Sequence, residues 1–264
     1  MQLTDSHAHL DLAEFAADRA ELWQQMQQQG ISRLILPGIA PEQWPSMQAI
    51  AAQYQWQYAL GIHPWYLPDD QTAAIAQLNQ QLQQAQGDPL LIAVGECGLD
   101  KLRAKRMQHS DEHNWHRQLS LFTAQLALAQ QFSLPLIVHA VQCHGDMLQI
   151  LQQERLRRGG VIHGFSGSIE VALQYWQLGF RVGIGGLVLN PEAKKLRDAV
   201  AQLPVAAILL ETDSPDMAPK CLDGARNTPL TLTAVVAEVA KLTNLSVVQL
   251  AEQLELNRVQ LFEC

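Results

Sequence analysis

Eight short apolar strands alternating with amphipathic helices along 264 residues predict an α/β fold, a single (β/α)8 TIM barrel with an additional C-terminal helix. Two further observations support that class. No GxGxxG follows the first strand, which weakens the doubly wound open sheet, the competing α/β architecture. Ionisable residues recur where strands end, and in a barrel all eight of those ends surround one mouth. No linker or shift in composition marks a boundary, so residues 1–264 read as one domain.

Taken in order, the first strand reads over Leu3 to Leu10. Strand side chains alternate faces, which puts His7 and His9 on one side. A helix is expected from Leu12 to Gln29, with Leu12, Phe15, Leu22 and Met26 near helical spacing and Gly30 ending it. Ser32 to Leu36 is a second strand, and a helix opens at Pro41, where proline suits the first turn. The third strand, Gln57 to Ile62, runs into His63-Pro64-Trp65. A Gln-rich helix follows and breaks at Gly87-Asp88-Pro89. Leu90 to Glu96 makes the fourth strand, and the charged segment from Lys101 to Asn114 reads as a long loop. Trp115 to Phe132 is a helix with Leu119, Phe122, Leu126 and Ala129 on one face. Strands five to eight read as Leu136 to His139, Gly160 to His163, Phe180 to Ile184 and Ala207 to Glu211. Helices at His144 to Arg157, Ile169 to Leu178 and Pro191 to Leu203 separate them. A helical pair, Pro229 to Leu242 and Ser246 to Phe262, completes the chain.

A hydrophobic content of 48% fills a sizeable core, yet the longest apolar runs are strand-sized and none would span a bilayer. No basic stretch leads into an apolar run at the N-terminus. The four cysteines lie far apart without CxxC spacing. A reduced cytoplasmic protein with no membrane association and no obligate protein partner is expected. A net charge of −8 argues against a broad basic coat for nucleic acid. Local phosphate binding is still open to it, because bound dications supply positive charge inside a cleft.

The strand ends carry His7 and His9, then His63, Glu96, His139 and His163, and finally Glu211-Thr212-Asp213. Four histidines (His7, His9, His139, His163) with Glu96 and Asp213 exceed what one tetrahedral ion needs. Six nitrogen and oxygen donors suit two divalent ions, with Glu96, midway along the strand series, the better bridge. Zn, Mn, Mg and Ni all accept such ligands. Two dications with both carboxylates and one hydroxide leave a charge of about +1, which favours an anionic substrate.

Six motifs then carry a family resemblance. DSHAHLD at Asp5 to Asp11, GIHPW at Gly61 to Trp65, GECGLD at Gly95 to Asp100, LPLIVHA at Leu134 to Ala140, IHGFSGS at Ile162 to Ser168 and LLETDSPDMAP at Leu209 to Pro219 resemble those of the TatD family of metal-dependent deoxyribonucleases, within the amidohydrolase-like barrels. The resemblance implies a two-metal phosphodiesterase, often an exonuclease from the 3′ end, with DNA as substrate. Its ligand pattern falls on His7, His9, Glu96, His139, His163 and Asp213, and it places His63 near the scissile phosphate. Lys101-Leu102 and Asn227-Thr228-Pro229 depart from the pattern at the rim, where they bear on substrate preference.

The mechanism expected has metal-bound hydroxide attacking phosphorus, with Asp213 steering the water proton and Glu96 bridging. The alternatives are a small-molecule hydrolase for lactones, amides or phosphotriesters, a deaminase, and a metal-binding barrel without catalysis. Other features have plainer readings. His109, His113 and His116 suit a solvated helix start better than a second metal cluster. Lys101, Arg103, Lys105 and Arg106 could grip a phosphate backbone or simply face water. Cys97 and Cys143 read as structural thiols rather than nucleophiles. Gly164 to Ser168 could receive phosphate on its amides or be an ordinary turn capped by Ser168. Asp5 is either an orienting group behind the histidines or a buried paired carboxylate.

Overall fold

The computed structural model describes residues 2–106 and 111–263. Eight strands follow one another through the sheet in chain order. They are β1 (Leu3–Asp5), β2 (Ile31–Leu36), β3 (Gln57–Leu60), β4 (Leu91–Asp100), β5 (Leu136–Val141), β6 (Gly160–Ile162), β7 (Phe180–Ile184) and β8 (Ile208–Leu210). Between them lie α1 (Arg19–Gln28), α2 (Trp44–Tyr54), α3 (Gln71–Gln84), α4 (Lys101–Arg106), α5 (Asp111–Phe132), α6 (His144–Glu154), α7 (Ile169–Gln177) and α8 (Lys194–Gln202). Helices α9 (Leu232–Thr243) and α10 (Val247–Phe262) close the chain. The pairings β1–β2, β3–β4, β4–β5, β5–β6 and β7–β8 are parallel, the strand topology of an α/β TIM barrel. Among the described residues no single helix is long and apolar enough to cross a membrane.

Two compact units divide the chain: residues 1–36 with 163–264, and residues 37–162. In the first, Leu34, Ile35, Val182, Ile184, Leu209, Val235, Val239 and Leu250 are buried, each contributing about 1.5–3 kcal/mol on leaving water. Helix α10 opens on a capping box in which Ser246 Oγ accepts from Gln249 N and Gln249 Oε1 accepts from Ser246 N. Its buried Arg258 donates to Glu255 and Glu263, each at 2.7 Å, and Arg33 reaches Glu255 at 2.8 Å.

The second unit packs Ala59, Leu60, Val94, Phe122, Leu126, Ile137, Val138, Met147 and Leu151 into its interior. Two buried glutamines of α5 hold backbone beside the strand ends. Gln125 accepts from Ile62 N at 2.7 Å and donates to Ile62 O at 3.0 Å, fixing the residue before His63. Seven residues earlier on the same helix face, Gln118 does the same for Asp100, at 2.7 and 3.1 Å.

Several boundaries differ from expectation, each for a visible reason. Strand β1 ends at Asp5, so His7 and His9 lie in the segment after it. Leu12 to Gln29 is not one helix: a 3₁₀ turn at Ala13–Phe15 precedes α1, which starts at Arg19. The Arg19 guanidinium takes the carbonyls of Leu10, Asp11 and Leu12, acceptors that a continuous helix would spend on its own amides. Strand β4 runs on to Asp100 instead of stopping at Glu96, because Cys97 to Asp100 pair with Val138 to Val141 after a register shift past Val94. Within Lys101 to Asn114, expected as a long loop, the described residues are helical: α4 spans Lys101–Arg106, capped where Asp100 Oδ1 accepts from Arg103 N at 2.7 Å, and α5 starts at Asp111.

The continuation of β4 depends on Gly98, whose φ is +145° and whose added Cβ would stand 2.0 Å from His139 O. Gly98→Ala should therefore lower stability by about 1–3 kcal/mol or more, read as a shifted urea midpoint. A second expectation concerns acid. Burial alone would raise the Glu255 carboxyl, but Arg258 and Arg33 outweigh burial and hold it below its ordinary value. Its contribution is thus present above the ordinary carboxylate pKa and lost as pH falls through the depressed one. Glu255→Gln should flatten the fall of Tm below about pH 4.

Candidate metal centres

In the first unit the two ligand-bearing segments are zipped together by backbone. Ser6 N donates to Leu210 O at 3.0 Å, Asp213 N to His7 O at 2.8 Å and His9 N to Ser214 O at 2.8 Å. Asp5 lies buried between them. Its Oδ1 accepts from His7 N at 3.2 Å and Thr212 N at 3.1 Å, and its Oδ2 from the Thr212 hydroxyl at 2.6 Å. Burial pushes the Asp5 carboxyl up to about 7 against these bonds, so it is a buried, paired carboxylate that sets the backbone of both segments. Asn227, at the departure from the family pattern, is buried and donates to Thr212 O and Asp216 O, which steadies the same loop.

Held this way, His7, His9 and Asp213 converge. Their closest atoms are His7 Nε2 to Asp213 Oδ1 at 3.4 Å and His9 Nε2 to Asp213 Oδ1 at 3.5 Å. Hydrogen bonds between charged groups are shorter than this. Donors about 2.0–2.1 Å from a tetrahedral ion stand about 3.4 Å apart, so the spacing matches ligands arranged around a cation. Asp213 has φ +54°, the left-handed region, and its carboxyl is held below the ordinary range: burial opposes this, but His9, His7 and His163 outweigh it.

His163 stacks on His7 with ring centroids 4.0 Å apart and planes 7° apart. It brings Glu211, whose Oε1 lies 3.9 Å from His163 Nδ1 and accepts from Gly164 N. Glu211 Oε2 is buried and has no hydrogen-bond partner among the described residues. Burial raises its carboxyl to about 8. His7, His163 and Glu211 offer donor atoms within 4.8 Å of one another, as do His7, His9 and Asp213. A buried carboxylate oxygen with no donor, surrounded by imidazoles, is the donor chemistry of a cation site, and these residues fit one.

The second unit builds another group from His63, Glu96 and His139. Glu96 is positioned where the β4 register shifts, its N–H donating to Gly38 O at 2.7 Å. Its Oε1 lies 3.1 Å from both His63 Nε2 and His139 Nδ1. The two imidazoles are not equivalent. His63 Nδ1 accepts the Trp65 N–H at 3.1 Å, which leaves the ring proton on Nε2 and makes that nitrogen a donor rather than a metal ligand. His139 Nε2 lies 3.4 Å from Asp100 Oδ2, which also accepts from Trp65 Nε1 at 2.6 Å. Burial would raise Asp100, but His139, Trp65 and the Arg103 amide overcome it and bring the carboxyl down to about 2.

Every residue expected at the site thus falls in one of two clusters: His7, His9, His163 and Asp213 in the first unit, and His63, Glu96 and His139 in the second. Glu211, Asp100 and Trp65 join them without having been singled out. Glu211 had a signal: it stands two residues before Asp213 on a strand end, the spacing that also picked out His7 and His9.

The plainer readings fare as follows. His109 lies outside the described residues. His113 and His116 are exposed at the start of α5, and the described residues form no metal-holding group there. Lys101 is 3.3 Å from Asp146 and lies over Trp115, while Arg103 lies over Trp65. The Cys143 thiol is pushed up to about 12, chiefly by burial, and Cys97 is pushed up for the same reason, so neither is a nucleophile at neutral pH. Ser168 sits at the N-cap of α7 without a side-chain capping bond to a helix amide, and the Gly164 amide is taken by Glu211.

Comparison with known proteins agrees with this chemistry. The family model described as TatD related DNase matches residues 4–263. An uncharacterized metal-dependent hydrolase of Escherichia coli, YjjV, is 36% identical over 98% of this chain and 96% of its own length. The 3'-5' ssDNA/RNA exonuclease TatD of Erwinia amylovora is 30% identical over 98% of both chains. The crystal structure of the Escherichia coli TatD homologue YjjV superposes with a TM-score of 0.91 at 35% identity, covering 99% of this chain and 98% of that one. The chain belongs to the family of TatD-related DNases and is a metal-dependent hydrolase with the α/β TIM-barrel fold.

Proposed function

We propose that this hydrolase cleaves phosphodiester bonds of single-stranded nucleic acid, DNA above all, as an exonuclease working from the 3′ end. The convergence of His7, His9 and Asp213 at cation-ligand spacing carries the reading. The Erwinia relative, named a 3'-5' ssDNA/RNA exonuclease, suggests the substrate class. His7, His9, His163 and Asp213 would hold one divalent ion, and Glu96 with His139 a second. Such ions supply Lewis-acid polarisation of phosphoryl oxygens and bring the pKa of water toward neutrality.

The chain's own groups then divide the work. Asp213, kept ionised among three imidazoles, accepts the proton of the attacking water and directs it in line at phosphorus. His63 turns its Nε2–H from Glu96 to a phosphate oxygen, neutralising charge as the bond to the leaving oxygen breaks. Asp5 and Asn227 fix the Asp213 loop, so the base needs little reorganisation during turnover.

Metal-reconstituted protein should shorten a 5′-labelled single-stranded oligonucleotide one nucleotide at a time. Small lactones, amides and phosphotriesters should be turned over poorly in the same assay. Asp213→Asn should reduce turnover roughly 10²–10³-fold with native circular dichroism and a lowered metal content. Near-normal hydrolysis by that variant, fully metal-loaded, would remove Asp213 from the mechanism. The two-ion reading predicts two ions per chain in the wild type and one in Glu96→Ala.

A separate expectation follows from the His63 tautomer. His63→Gln should lower kcat roughly 10²–10³-fold while metal content stays at the wild-type value, since the side chain donates a hydrogen bond to phosphate instead of binding metal. Loss of an ion in His63→Gln would reclassify it as a ligand.

A further inference from the structure

Trp65 and Tyr66 are among the large hydrophobic side chains left open to solvent, 47% and 50% exposed, and both directly follow the His63-Pro64 pair. An exposed indole is ordinarily a mobile side chain, but Trp65 is fixed on several sides. Its Nε1–H donates to Asp100 Oδ2 at 2.6 Å, and its backbone N–H donates to His63 Nδ1. The ring stands edge-on to His63, centroids 5.4 Å apart, and 6.3 Å from that of His139. The Arg103 guanidinium lies over it at 5.5 Å.

We propose that Trp65 is the platform on which a nucleobase next to the scissile phosphate stacks, with Arg103 adding positive charge for the strand's backbone. This rests on the phosphodiesterase reading of the neighbouring histidines and deepens it. The occupant is argued from what surrounds the ring. On one side stand His63 and His139, within one nucleotide's reach. On another is Arg103, in the basic run of Lys101, Arg103 and Lys105 within a chain of net charge −8. A half-open π surface beside a cation and a phosphate-binding histidine is what a single-stranded nucleotide needs, whereas an apolar partner would meet an unshielded charge at that edge. Because a base in a duplex is already paired and stacked, the platform takes only a free base. It therefore selects single strands at the point of cleavage.

The test uses metal-reconstituted full-length wild type, Trp65→Ala and Trp65→Phe on single-stranded oligonucleotides in which one abasic sugar is walked through the last four 3′ nucleotides. On the intact strand Trp65→Ala should raise KM roughly ten-fold or more, with the loss falling mainly on KM. Trp65→Phe, which keeps a ring but cannot donate to Asp100, should recover most of that loss. The Trp65→Ala penalty should collapse when the abasic sugar occupies one particular position. Metal content, measured in parallel, should match wild type. A penalty equal at every abasic position overturns the stacking role. So does a Phe variant as poor as Ala, or a Trp65→Ala protein that has lost metal, since each places the effect in the Asp100 or His139 contacts. Wild type that cleaves no oligonucleotide overturns the phosphodiesterase reading itself, a result distinct from wild type that cleaves with no Trp65 dependence.

Discussion

The buried contact between Asp5 and Thr212, residues 207 apart in sequence, is the constraint on which the first candidate metal cluster depends. A carboxylate without solvent is expensive, and burial accordingly pushes Asp5 up to about 7. Three donors aimed at its two oxygens offset it, and two of them are main-chain amides of the ligand segments, His7 and Thr212. Slippage of either segment would strand the carboxylate, so the desolvation cost enforces register. Through that register two histidines and an aspartate arrive at the spacing a cation requires.

The same logic appears in the second unit with neutral groups. Gln118 and Gln125 each satisfy both a backbone donor and an acceptor where strands have ended and ladder partners run out. A long amide can do this and remain uncharged, which suits buried positions on a helix facing a sheet. Composition obscured them. Glutamine in this chain is so frequent on solvated helix surfaces that nothing distinguished two buried copies on α5 from the exposed ones on α3.

Strand order and fold class were legible because they rest on repetition, and eight alternations tolerate a misplaced boundary in any one of them. Boundaries were less legible wherever a side chain from outside the segment replaced a backbone partner. Arg19 caps the carbonyls after His9, and Asp100 converts an expected loop into α4. Neither substitution of partners leaves a local pattern. The clustered histidines and acids were legible from residue type at strand ends, since few structural reasons place so many imidazoles there. Asp100 was not, because the expected end of β4 at Glu96 left it outside the strand. Only the pairing with β5 carries it into the interior beside His139.

His63 and His139 show why residue type stops short of role. Both touch the same oxygen of Glu96 at 3.1 Å, and by inventory they are interchangeable. The difference lies in what each ring's other nitrogen meets. A backbone amide, which can only donate, faces His63 and forces its proton onto the nitrogen that points at Glu96. An ionised carboxylate, which can only accept, faces His139 and draws the proton away, freeing the nitrogen toward Glu96 to bind a cation. Trp65 and Asp100 thereby leave one imidazole with an N–H facing Glu96 and the other with a lone pair there. A single hydrogen bond between Trp65 and Asp100 ties those two assignments together.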